Sequence, residues 1–200
     1  MWFFLCKLLI VCYNYAMHIY IKKIEEIKNY IPDAETKRIN AFQSEKRKIE
    51  SLSGYFLLKS ILKQRGYDAF QISRKTNEKP VLDIPLCYSL SHSGEYVVCA
   101  VDKNPFGLDI QIKTDKLLNI KRRTGETSKD ITILTKHWAL KEAYIKYINN
   151  NKIPLKEITI KGENPYILNY EEEAECKVFE YKNYIIALCM KSLKEVFIHD

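Results

Sequence analysis

The sequence has no Cys-x-x-Cys pair, no Gly-x-Ser-x-Gly motif and no apolar stretch of the ~20 residues that a spanning helix needs. Each absence closes a class of reading. Its six cysteines, at 6, 12, 87, 99, 176 and 189, match no zinc-knuckle spacing. Cys87, Cys99 and Cys189 sit in apolar runs that read as strands, so the cysteines are expected as buried free thiols in a reducing cytosol. Without the Gly-x-Ser-x-Gly elbow, Ser91-His92 is a poor nucleophilic pair, because adjacent strand residues point to opposite faces. The longest apolar opening, residues 1–16, carries one charge, Lys7, and has no basic segment ahead of it, which argues against a signal peptide. The preferred reading starts translation at Met17 and leaves 1–16 outside the fold; a membrane-anchoring segment and an extra packed helix are the alternatives.

What is present is an ordinary globular composition. Two hundred residues, 46% hydrophobic and 28% charged, exclude disorder and fibrous repeats and suit one domain or two small ones. Lys and Arg number 32 against 25 Asp and Glu, a net charge of +7 that fits an anionic partner without naming one. The excess is uneven. Residues 113–152 hold ten Lys/Arg and four Asp/Glu, giving +6, whereas 157–180 hold two Lys and seven Glu, giving −5. The acidic stretch reads as a solvated strand edge that blocks edge pairing.

Hydrophobic periodicity predicts strands at 17–23, 69–73, 86–91, 96–102, 106–112, 157–161, 175–181 and 184–190. It predicts helical character over 33–48, a helix opened by Ser51 over 51–65 with Gly66 as its cap, and a second helix over 132–149. His92-Ser93-Gly94-Glu95 is expected as a tight turn, and 113–130 as a basic irregular stretch. Tyr96-Val97-Val98-Cys99-Ala100-Val101 echoes Tyr184-Ile185-Ile186-Ala187-Leu188-Cys189 at an offset of 88, and Leu58-Lys59 echoes Leu140-Lys141 at 82. Two copies of a helix-then-strands unit predict a pseudo-dimer with its site at the seam.

Three weak signals bear on chemistry. In Gly107-Leu108-Asp109-Ile110-Gln111, Asp109 and Gln111 share one strand face and offer two oxygens to a hard cation; solvated edge residues are the alternative. In Trp138-Ala139-Leu140-Lys141-Glu142-Ala143-Tyr144-Ile145-Lys146, Glu142 and Lys146 share one helix face, as a third metal oxygen and a phosphate-neutralising cation or as a plain surface ion pair. Lys79-Pro80 precedes Ser89-Leu90-Ser91-His92-Ser93-Gly94, where Ser91 and His92 can donate to an anion or simply form a turn.

In this order the motifs resemble the 4′-phosphopantetheinyl transferases of the Sfp type, with the resemblance covering roughly 17–190. It implies an α+β fold, a pseudo-dimer of two similar α/β subdomains with helices packed on antiparallel sheets and the active site at their seam. The subdomains would span 17–103 and 104–200. It implies transfer of the phosphopantetheine arm of coenzyme A to a serine of an apo acyl or peptidyl carrier protein, with release of 3′,5′-ADP, an activity of the holo-[acyl-carrier-protein] synthase type. Asp109, Gln111 and Glu142 would bind Mg²⁺, with Mn²⁺ as a substitute, and Lys146 would contact the pyrophosphate. Lys79, Pro80, Ser91 and His92 would hold the nucleotide end, with Lys37, Arg38, Arg47 and Lys48 adding basic contacts and Ser51 opening the nearby helix. Glu126, in Lys121-Arg122-Arg123-Thr124-Gly125-Glu126, matches the proton-accepting position, with a solvated loop glutamate as the alternative. The protein is expected to be a cytoplasmic monomer without stable membrane insertion.

Several positions depart from the family pattern. Gln111 stands where an acid is frequent, Glu78 where glycine precedes Lys-Pro, and Glu50 where arginine precedes the serine. They motivate a second reading: a weakened or inactive relative that binds coenzyme A or carrier without efficient transfer. A nucleic-acid binder is the third reading. It is disfavoured, since the 14 tyrosines are scattered and no recognition-helix motif occurs.

Overall fold

The computed structural model describes residues 16–76 and 78–200. The remainder of the extension, residues 1–15, and so the readings made of it, lie outside the described residues. The chain opens with β1 (Ala16–Lys23), then α1 (Ala34–Asn40) and α2 (Glu45–Gln64). A small ribbon of β2 (Ile72–Ser73) and β3 (Val81–Leu82) leads to the hairpin β4 (Cys87–Ser93) and β5 (Tyr96–Asp102). Next come β6 (Phe106–Ile112), a 3₁₀ segment Asp115–Ile120, a one-turn helix Lys121–Thr124 and α3 (Ile131–Ile148). The last part is β7 (Thr159–Lys161), β8 (Tyr166–Asn169), β9 (Glu173–Tyr181), β10 (Tyr184–Met190) and β11 (Glu195–His199).

Besides the β2–β3 ribbon, the described residues form two larger sheets, β11-β1-β5-β4 and β6-β10-β9-β8-β7. The repeat seen in the sequence is a repeat of topology. β1, α2, β4 and β5 give the strand order β1-β5-β4, and β6, α3, β9 and β10 give β6-β10-β9, all antiparallel. The offset of 88 also preserves which way each side chain faces. Val98 and Ala100, with their counterparts Ile186 and Leu188, point into the core between the sheets. Val97 and Cys99 face α2, and Ile185 and Ala187 face α3. The layers therefore run α2, sheet, sheet, α3, and the two central strands are buried on both faces. That is why they read as unbroken apolar runs rather than as alternating ones. β11 leaves the second half and pairs in parallel with β1, so the first sheet contains a strand from beyond residue 104.

Helix ends follow local chemistry. Asp33 and Thr36 form a reciprocal capping box on α1, with Asp33 Oδ1 accepting from Thr36 N at 2.9 Å and Thr36 Oγ1 accepting from Asp33 N at 2.8 Å. Asp130 caps α3, accepting from Thr132 N at 2.7 Å, and Asn149 ends it in the left-handed region at φ 60°. Ser44, not Ser51, caps α2, its hydroxyl accepting from Arg47 N at 3.3 Å. Ser51 consequently lies within α2 rather than at its start. Gly66, at φ 85°, follows the end of α2 as expected.

The cysteine expectation is corrected in part. Cys87 and Cys99 are free, but Cys176 and Cys189 form a disulfide. They are directly opposed in the β9–β10 ladder, a pairing that sequence spacing does not reveal. The expected strand 69–73 shortens to β2, the expected turn 92–95 shortens because β4 runs on to Ser93, and β3, β8 and β11 fall outside the expected strands. Among the described residues no helix is long and apolar enough to cross a membrane.

Candidate active site

The two sheets meet where β4, an edge of the first, lies beside β6, an edge of the second. No backbone ladder joins them; three serines do. Ser89, Ser91 and Ser93 alternate along β4 and so share one face. Ser89 Oγ accepts from Leu108 N at 3.0 Å, and Ser93 Oγ accepts from Ile112 N at 3.0 Å. Between them Ser91 Oγ donates to Asp109 Oδ1 at 2.6 Å. The opposite face of β4 carries Leu90 against Gly54 of α2, and His92 beside Glu50.

Asp109 is 2% exposed, on the central part of β6. Its carboxylate also accepts from Lys146 Nζ at 2.7 Å and from Gln111 Nε2 at 2.8 Å. Lys146 donates in addition to the Leu108 carbonyl at 3.0 Å, so its ammonium is seated in the seam itself. α3 can bring it there because β6 and α3 pack backbone to backbone at Gly107. A Cβ on Gly107 would stand 1.8 Å from the Ala143 carbonyl oxygen and 2.6 Å from Tyr147 N. The glycine two residues before Asp109 is therefore a requirement of helix approach.

Glu142, one turn before Lys146, is half-buried and makes no hydrogen bond or ion pair among the described residues. Burial raises the proton affinity of its carboxyl, and the nearby negative charge of Asp109 raises it further, against Lys146 and Arg123. Two carboxylates sharing a desolvated seam, one of them unpartnered, fit a hard cation. Gln111 in this structure turns its amide nitrogen, not its oxygen, to Asp109, because a carboxylate accepts and does not donate. Among the described residues no group of three or more His, Cys, Asp or Glu side chains is placed to hold a metal.

Beside this centre lies a cleft of about 340 Å³, walled by both halves of the chain. Of the expected residues it gathers Arg38, Ser51, Lys79, Pro80, His92 and Lys146. Ser91 instead faces Asp109 inside the seam. Lys37, Arg47 and Lys48 are not among its lining residues: Arg47 stacks on Phe42 and Lys48 pairs with Glu45 at 3.1 Å. Lys79 is held by its backbone N–H, which donates to the Asn149 side chain, and by Nζ, which donates to the Phe106 carbonyl at 2.8 Å. Burial lowers its pKa to about 8. Burial also lowers the pKa of His92, against the pull of Glu50.

Several lining residues lie outside the sequence expectation, among them a charged pair. Glu35 and Arg74 form a bidentate ion pair, Nη1 to Oε2 at 2.6 Å and Nη2 to Oε1 at 2.7 Å. They come from an exposed-looking helix start and an irregular segment 39 residues apart, where no periodicity marks them.

Glu126 lies elsewhere, on the flank of α3. Its carboxylate is bound to His137 Nδ1 at 2.7 Å and to the buried Lys141 Nζ at 3.1 Å. Burial would raise its proton affinity, but these two bonds more than offset that and hold it below the usual carboxylate value. The group pins the 113–130 stretch to the helix, helped by Lys141 donating to the Thr124 carbonyl at 2.7 Å.

No protein-family model matches the sequence. Similar proteins are 4′-phosphopantetheinyl transferases. Sfp of Bacillus subtilis (strain 168) is 26% identical over 154 residues, which cover 68% of this chain and 69% of that protein. The transferase gsp of Aneurinibacillus migulanus is 27% identical over 116 residues, covering 52% and 49%. The transferase ffp of Bacillus subtilis is 22% identical over 157 residues, covering 70% of each. The similarity is thus to the Sfp type, and the matched stretch spans between about half and 70% of these relatives' own lengths.

Proposed function

We propose that the chain is a Mg²⁺-dependent 4′-phosphopantetheinyl transferase of the Sfp type, acting on coenzyme A and an apo carrier protein. The observation that carries this reading is the joint placement of Asp109, Glu142 and Lys146 at the seam beside a two-sided cationic cleft. The carrier serine oxygen attacks the pantetheine-side phosphorus of the pyrophosphate. The bond to 3′,5′-ADP breaks and the serine proton is lost. Asp109 and Glu142 would hold the Mg²⁺, which when bound polarises the attacked phosphoryl group and neutralises the leaving phosphate.

The chain's own groups do the rest. Lys146 presents a point charge to the pyrophosphate, already positioned by the Leu108 carbonyl and Asp109. Lys79, Pro80, Arg38 and His92 line the cleft for the nucleotide end. The serine proton passes to water, since Glu142 is committed to the cation and His137 and Lys141 hold Glu126 below the usual carboxylate value. The basic stretch 113–152 exposes Leu118 and Ile133, each 41%, a mixed surface that suits an acidic carrier helix. In this reading the protein works as a monomer, since both halves of the cleft come from one chain.

The test is to incubate the protein with coenzyme A, Mg²⁺ and a panel of apo carriers, then weigh the carriers. Addition of one phosphopantetheine mass is expected, and Glu142→Gln should lower the rate by at least about a hundredfold, the scale of losing a group that stabilises the reacting charge. Unchanged mass across all carriers would sink the proposal. A specific observation supports the weakened-relative reading: Gln111 and Lys146 both occupy the Asp109 carboxylate that a cation would need. Binding of coenzyme A without turnover, with turnover gained in Gln111→Glu, would favour that reading.

A further inference from the structure

Apart from Lys79, the cations at the nucleotide end of the cleft are already engaged by carboxylates. Glu35, its side chain only 11% exposed, lies between two guanidinium groups. Arg74 binds it bidentately, and Arg38 donates through Nη2 at 2.6 Å and through Nε at 3.2 Å. On α2 the buried Glu50 stands 3.7 Å from His92 Nδ1 and 3.7 Å from Lys46 Nζ. Asp33 takes Lys59 at 3.2 Å on the neighbouring wall. Arg38 and Arg74 therefore already have a carboxylate of the chain's own, and Glu50 holds a negative charge beside His92. The carboxylates are better shielded from water than the cations they serve, so they cannot leave without a desolvation cost.

An entering phosphate monoester meets this arrangement as a dianion. Glu35 already takes Nε and Nη2 of Arg38 and Nη1 and Nη2 of Arg74, so an entering phosphate reaches only the remaining N–H groups, against the negative charge of Glu35; to reach His92 it must lie against Glu50. A site with free guanidiniums would prefer a ligand bearing the monoester by roughly tenfold to a hundredfold per charge-assisted bond. Here that gain is offset. We propose that Glu35 and Glu50 set donor specificity, so that the cleft takes a donor lacking the ribose phosphate monoester as readily as one carrying it. With the transferase reading, on which this rests, the donors are 3′-dephospho-coenzyme A and coenzyme A. Transfer from the first releases 5′-AMP and from the second 3′,5′-ADP; the same phosphorus–oxygen bond forms and breaks in both.

The experiment measures Kd by calorimetry and kcat/KM by carrier mass for both donors. In the wild-type protein the two kcat/KM values are expected within about threefold of each other, well short of one charge-assisted bond. Glu35→Gln leaves both guanidiniums without a counter-charge and should shift the ratio toward coenzyme A by about tenfold or more. A wild-type preference for coenzyme A above tenfold overturns the inference, and so does an unshifted ratio in a folded Glu35→Gln protein. The wild-type ratio decides by itself if the variant does not fold. If neither donor binds or transfers, the transferase reading itself has failed, a result distinct from both donors binding with an unexpected preference.

Discussion

Lys79 keeps an ammonium where burial disfavours it, and its pKa of about 8 makes it titrate within the working range of an enzyme. Two effects of opposite sign follow. Below about 8 the group is charged and available to an anionic donor, so donor affinity is expected to fall as pH rises through that value. Stability moves the other way. The folded-state pKa lies below the unfolded value of 10.5, so between about 8 and 10.5 the unfolded chain binds more protons and stability rises with pH. Donor Kd and denaturation midpoints between pH 7 and 10 check both trends, and Lys79→Met should abolish both together. At this scale spacing shows that Asp109 shares a strand face with Gln111 and Glu142 a helix face with Lys146, whereas the meeting of Lys146 with Asp109 is decided by the fold. The pairing of Glu35 with Arg74 was not legible, since it joins segments that no period relates.

At the scale of elements, the seam depends on how closely α3 approaches β6. Gly107→Ala would drive a methyl group into the Ala143 carbonyl, where backbone rather than a mobile side chain stands in the way. The helix must move off the strand, and with it Glu142 and Lys146. A loss of about 3 kcal/mol, the upper end for overpacking, is expected, measured by urea denaturation, together with loss of transfer. Gly54→Ala is expected to be milder, because its obstacle is the end of the Leu90 side chain. Ser91, in the alternating serines of β4, reads in the sequence as a donor to an anion. The fate of these serines was decided by two sheet edges needing partners for polar groups, which Ser89, Ser91 and Ser93 supply. The start of α2 was misplaced because Ser51 resembles a cap as well as Ser44 does, and only the geometry tells them apart.

At the scale of the molecule, the two repeats share one core. Met17, Ile19, Ile21, Val98 and Ala100 of the first sheet close on Leu108, Ile110, Ile186 and Leu188 of the second. A fragment of residues 17–103 would expose that face to water and would lose β11 from its edge. Such a fragment is expected to show no cooperative unfolding transition by circular dichroism, whereas the whole chain should unfold in one. A cooperative transition in the fragment would mean that the halves fold independently. The sequence by itself determined the central strands, the helix 131–148 and the repeat, because apolar periodicity reports burial directly. It also determined the order of Lys79, Asp109, Glu142 and Lys146 along the chain. Only the tertiary structure decided that Glu126 is tied up with His137 and Lys141, that Cys176 meets Cys189, and that Glu35 engages Arg38 and Arg74 while Glu50 stands beside His92. Those outcomes are pairings between distant segments, and pairing depends on distance in space, which local spacing does not encode.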